Sequence, residues 1–172
     1  MRIDLERCSV RSWAEEDAPS LARHADDMDI WRRLRDAFPH PYTLEDAHRW
    51  LAMAMAKDPE TFFAIEVGGE AVGAIGYSLH TDVERVGAEI GYWLGRPYWG
   101  RGIVTEALEA VTHHAIAAHG LTRVYAVPYD GNPASCRVLE KAGFVLEGRM
   151  RKSAVKEGRV IDQLLYAFIV ED

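Results

Sequence analysis

Two bare glycines separate a strand-like stretch from a helical pattern in "EIGYWLGRPYWGRGIVTEAL", residues 89–108. Main-chain N–H groups at a helix start are unpaired, carry about half a positive charge in sum and bind phosphate well. Side chains at Gly100 and Gly102 would obstruct such an approach, and Arg96 and Arg101 add cationic donors nearby. A P-loop is excluded, because no Lys-Ser or Lys-Thr follows. A dinucleotide fingerprint is excluded too, because Thr105 stands where its third glycine belongs. A strand-to-helix turn without a ligand remains open on this segment alone.

A second segment, "NPASCRVLEKAGF" (132–144), follows the next strand-like run. Asn132-Pro133 there reads as a helix cap followed by a first-turn proline. His113-His114 is no metal pair, since neighbouring helix residues face different ways and no further ligands complete a set of four. Arg32, Arg33 and Arg35 read as a solvated basic face.

The elements that position these residues follow from periodicity. "LERCSV" alternates as a first strand, and Ser12 with Glu15 has capping-box spacing for a helix from about Trp13. Arg32–Tyr42, with two prolines, is expected to end in a loop, and Thr43 with Asp46 starts another helix. Gly68-Gly69 joins two strands as a hairpin. "AEIGYWL" is a strand, the helix after Gly102 runs to Gly120, "TRVYAV" is a strand, and two final strands meet near Glu157-Gly158. The expected order is β-α-α-β-β-β-α-β-α-β-β, an α/β (α+β) mixture around one mixed, mainly antiparallel sheet flanked by helices.

At 172 residues, 48% apolar and 27% charged, one soluble domain over residues 1–172 is expected. No apolar run approaches the ~20 residues of a membrane span, and the first residues lack a signal peptide's apolar centre. Cys8 and Cys136 make neither a disulfide framework nor a zinc site, so a cytoplasmic location is expected. A net charge of −7 argues against nucleic acid and requires local donors to hold any phosphate.

Taken jointly, Trp99-Gly100-Arg101-Gly102, Thr105-Glu106-Ala107, Asn132, Ser135 and Gly143-Phe144 resemble the GNAT superfamily of N-acetyltransferases. The pattern is most similar to the branch that acetylates alanine or serine N-termini of ribosomal proteins. The resemblance covers roughly residues 60–170 in element order. It implies acetyl-coenzyme A as co-substrate, no metal, and a turn Trp99, Gly100, Arg101, Gly102, Ile103 and Val104 that holds the pyrophosphate. It also implies that Tyr92, Trp93 and Leu94 pair with the pantetheine arm, and that Asn132 and Ser135 hydrogen-bond the cofactor. Two positions depart from the superfamily: Pro97 stands where Gln or Arg is usual, and Leu139 where a tyrosine acid is usual.

The implied chemistry is attack of a neutral amine on a thioester, which needs a proton acceptor and a steadied oxyanion. Glu89, which shares a strand face with Gly91 and Trp93, is the base candidate. For the acid, Cys136 reads as packing, and of Tyr125, Tyr129 and Tyr166 nothing local selects one, so the role stays unassigned. Neutralising a lysine amine at pH 7 costs about 4.6 kcal/mol, against about 1.1 for an α-amine. One base and no evident acid match the α-amine of a peptide or a small primary amine. The resemblance puts the acceptor side at Trp31, Phe38, His40 and Tyr42, with Trp50 more suited to the core. Asp162 is either a carboxylate facing the amine or half of an ion pair with Arg149 or Arg151. A non-catalytic acyl-coenzyme A sensor or regulatory module is the alternative, favoured by Pro97 and Leu139. The resemblance also allows a homodimer.

Overall fold

The computed structural model describes residues 1–171. The chain folds as strand β1 (Arg2–Asp4), strand β2 (Ser9–Arg11), helix α1 (Ala18–Ala25), helix α2 (Met28–Trp31) and helix α3 (Leu44–Met55). Strands β3 (Phe62–Val67), β4 (Glu70–Leu79) and β5 (Gly87–Leu94) follow. Helix α4 (Ile103–His119), strand β6 (Arg123–Ala126), helix α5 (Pro133–Lys141) and strands β7 (Val145–Lys156) and β8 (Arg159–Ile169) complete it. The strands form one open, mostly antiparallel sheet of order β1-β2-β3-β4-β5-β6-β8-β7. The parallel step is β5 to β6, and α4 supplies the crossover that a parallel neighbour needs.

The chain divides into two compact units, residues 1–76 with 92–107 and residues 77–91 with 108–171. In the first unit, α1 and α3 bury Leu21, Ala25, Ala47, Leu51 and Ala54 with Trp13, Tyr42 and the strand residues Ala64, Ala71 and Ala74. The small strand side chains leave room for indoles: Trp13 meets Trp50 edge-on at 5.0 Å between ring centroids. Thr43 caps α3 as its spacing predicts, with Thr43 Oγ1 accepting from Asp46 N–H and Asp46 Oδ2 accepting from Thr43 N–H.

In the second unit, Leu108, Val111 and Ala115 of α4 are buried, as are Val124, Leu139, Phe144 and Tyr166. Gly120 ends α4 at φ +62°, a position that suits a residue without a Cβ. Asn132 caps α5, its Oδ1 accepting from Ser135 N–H at 3.3 Å.

Two expectations near the start are corrected. The "LERCSV" run is not one strand: Leu5 N–H bonds Cys8 C=O at 2.8 Å, and the run splits into a turn and β2, which pairs with β1 through Ile3↔Val10. Ser12 is not a helix cap; its hydroxyl turns back to Met1 C=O at 3.3 Å. The helical path instead starts with a 3-10 turn at Glu15–Asp17, where Asp17 accepts from Ala14 N–H at 2.9 Å. The Asp17 carboxylate is held there by Arg11 Nη1 and Nη2, at 2.7 and 2.8 Å, a contact that local spacing cannot reveal.

Candidate functional site

The turn after β5 is built by short-range bonds. Gly95 N–H reaches Val72 C=O at 2.7 Å, and a 3-10 turn over Arg96–Tyr98 follows, carrying the first-turn proline Pro97. Trp99 then folds its indole back, with Nε1 donating to Leu94 C=O at 2.6 Å. That bond ties the turn to the end of β5 and leaves Trp99 39% exposed.

Gly100 and Gly102 sit at φ +74° and +77°, which places them in the left-handed region. A Cβ at Gly100 would meet nothing within 4 Å. The demand for glycine there is thus conformational and outward-facing, not a matter of packing against the protein. The first hydrogen bond of α4 runs from Glu106 N–H to Gly102 C=O at 3.2 Å. The N–H groups of Ile103, Val104 and Thr105 therefore lie ahead of the helical ladder, open to an anion. An open glycine beside these amides fits a diphosphate. Of the expected stretch Trp99, Gly100, Arg101, Gly102, Ile103 and Val104, the N–H of Trp99 is spent on Arg96 C=O at 3.2 Å.

The two arginines expected to help differ. Arg96 is committed to α2, with Nη1 on Asp29 Oδ2 at 2.7 Å and Nε 3.3 Å from Asp27 Oδ2. Arg101 is exposed, its guanidinium 5.5 Å from the Tyr98 ring centroid, and it forms no ion pair among the described residues. The sequence did not point to Arg7. It comes from the β1–β2 turn to the first turn of α4, pairs with Glu106, and passes beside Gly102. Only the long-range packing of that turn reveals it.

In the same unit, Phe38 packs on Tyr42 at 4.9 Å and on Trp93 at 5.8 Å between centroids, and Trp31 lies 6.1 Å from His40. The aromatic residues expected on the acceptor side thus form two contact groups: Phe38 with Tyr42 and the β5 residue Trp93, and Trp31 with His40. Tyr42 belongs to the core at 5% exposure, and burial pushes its phenol up to about 12. Trp50 also packs inward, against Trp13 and Phe62. His40 Nδ1 faces Asp26 at 3.5 Å, too long for a hydrogen bond.

The second unit holds Glu89, Asn132, Ser135 and Asp162. Glu89 is half-buried and stands opposite Tyr125 at the last parallel pair between β5 and β6, while β5 runs on to Leu94. Tyr125 in turn stacks on His80, with hydroxyl and Nε2 3.0 Å apart. Asp162 is engaged on both oxygens, by Arg149 Nε at 2.7 Å and by Lys152 N–H at 2.8 Å. Those bonds, the backbone one first, hold its carboxyl below the usual range. Of its two readings, the ion pair is the one present. Tyr166 donates to Glu140 at 3.0 Å, and burial raises its phenol. Cys8 is buried against Ile103 C=O, and burial pushes its thiol up to about 11, so it is inert.

A family model described as an acetyltransferase (GNAT) domain matches residues 7–145. Among curated relatives, p20 of Bacillus licheniformis, an uncharacterized N-acetyltransferase, is 27% identical over 95% of this chain and 93% of its own. The ribosomal-protein-serine acetyltransferase of Escherichia coli K12 is 33% identical over 63% of this chain and 60% of its own. Among solved structures, RimL, a ribosomal L7/L12 alpha-N-protein acetyltransferase in complex with coenzyme A, superposes with a TM-score of 0.87. It is 21% identical and the match covers 99% of this chain and 98% of that one, which is a likeness of fold.

Proposed function

Because the chain belongs to the GNAT acetyltransferase family, we propose that it acetylates an α-amine of a protein or peptide N-terminus, or a small primary amine, by direct attack on the thioester. It is an acetyl-coenzyme A-dependent N-acetyltransferase, and the sensor reading is not favoured. The observation that carries the proposal is the paired positive-φ glycines at the head of α4, with Gly100 open outward, followed by unpaired amides.

Acetyl-coenzyme A supplies the activated acetyl group. The N–H groups of residues 100–104 hold its diphosphate, with Trp99 bracing the turn, and Tyr92, Trp93 and Leu94 offer backbone to the pantetheine arm. Asn132 and Ser135 add hydrogen bonds from the first turn of α5. Glu89 takes the proton that the attacking nitrogen loses as the new C–N bond forms and the C–S bond breaks, leaving the thiolate to be protonated. The aromatic group of Trp31, Phe38, His40 and Trp93 borders the acceptor, with Tyr42 behind it. The names of the relatives, which act on ribosomal proteins, support a peptide acceptor.

No helix among the described residues is long and apolar enough to cross a membrane. We place the enzyme in the cytosol on its cysteine usage. A homodimer is supported by the exposed apolar side chains of the β7–β8 edge, where Val145 and Val155 are 67% and 62% exposed.

An acceptor screen with acetyl-coenzyme A tests the reading. An N-terminal peptide should be acetylated faster than a lysine side chain or a polyamine, and a clear polyamine preference would overturn the acceptor assignment.

A further inference from the structure

We propose that Arg7 is a diphosphate-binding cation of this enzyme, brought beside the turn from the β1–β2 turn to act with the turn's own Arg101. This rests on the reading of residues 99–104 as the cofactor cradle. Three observations converge on it. Arg96 is tied to Asp27 and Asp29, which leaves Arg101 as the turn's own cation without an ion pair among the described residues. In a chain of net charge −7, the anion therefore needs another local cation. Arg7 passes beside the second glycine: a Cβ at Gly102 would be 3.4 Å from its Cδ and 3.5 Å from its Nε.

The side chain is held there, not wandering. Arg7 N–H donates to Glu106 Oε2 at 3.0 Å, and its Nη1 pairs with the other oxygen of the same carboxylate. Glu106 belongs to the first turn of α4, so the guanidinium is fixed to the same turn whose amides face the anion. Arg7 remains 45% exposed; Glu6 also lies 3.4 Å from its Nη2, and the guanidinium keeps donors, the Nε–H among them, beyond those that the two carboxylates take. Without a guanidinium there, the Glu106 carboxylate would repel the ligand; with it, the pair presents donors to a phosphate oxygen. Glycine at position 102 answers to its conformation, at φ +77°, since a Cβ there would make only ordinary contact with the Arg7 side chain.

The test is coenzyme A titration by calorimetry on wild type, Arg7→Gln and Arg7→Lys, with thermal unfolding to confirm folding. Arg7→Gln should weaken coenzyme A about tenfold, equivalent to about 1.4 kcal/mol. Arg7→Lys should recover binding to within about threefold, because charge and reach persist. Acetyl-pantetheine, a donor without the diphosphate, should be used equally well by wild type and Arg7→Gln. Coenzyme A binding undiminished in Arg7→Gln, an equal loss in Arg7→Lys, or an equal loss with acetyl-pantetheine would overturn the proposal while leaving the cradle intact. A wild-type chain that does not bind coenzyme A would remove both.

Discussion

Gly100 and Gly120 form a matched pair for testing the cradle. Both are left-handed, at φ +74° and +62°, and a Cβ at either would meet nothing within 4 Å. Alanine at either position therefore costs only backbone strain, about 1–2 kcal/mol. For a chain of this size that lowers Tm by about 2–8 °C, at roughly 2–4 °C per kcal/mol. The consequences for ligand binding diverge. At Gly120 the new methyl group lies past the C-terminus of α4, whereas at Gly100 it projects into the space that a diphosphate must enter. Gly100→Ala should weaken coenzyme A by about ten- to a hundredfold, or roughly 1.4–2.8 kcal/mol, and Gly120→Ala should leave affinity unchanged. Urea denaturation gives the stability cost of each, and calorimetric titration gives the affinity. Similar stability losses with coenzyme A binding equally to both variants would refute the assignment of the turn.

Glu89→Gln should lower kcat by a factor of about 10²–10⁴ with coenzyme A affinity retained, and an unchanged pH–rate profile would remove Glu89 as the base. Thr43→Ala, which removes the cap of α3, should cost about 1 kcal/mol by urea denaturation, and the loss should not touch coenzyme A binding. The Arg11 guanidinium, with help from Arg2, holds the Glu66 carboxyl below its ordinary value. A carboxyl depressed in the folded state adds stability above its unfolded pKa of about 4.3, and that stability fades as pH falls through the lower folded value. Denaturation curves between pH 7 and pH 3 should therefore lose less stability in Glu66→Gln than in wild type; equal slopes would contradict this.

The sequence was most legible where the determinants are local. Thr43 and Asp46, Asn132 and Pro133, and the Gly68-Gly69 hairpin each carry their own geometry within four residues, and each element forms where expected. The glycine pair at the head of α4 is legible for the same reason: a positive φ is a property of one residue. The start of the chain was misread because its geometry is set from afar. Ser12 has a capping partner at the right spacing, yet Asp17, clamped by Arg11, takes the capping role. Arg7 was invisible for the same reason, since its place depends on a carboxylate far along the chain, Glu106. Asp162 could not be assigned from an apolar strand alone, because Arg149 and Lys152 reach it across the β7–β8 pairing.

The most direct measurement is a crystal structure of the chain with acetyl-coenzyme A bound. The diphosphate should lie on the N–H groups of residues 100–104, within hydrogen-bond distance of Ile103 or Val104, and the thioester beside the end of β5. A diphosphate held elsewhere on the chain, with those amides facing water, would contradict it.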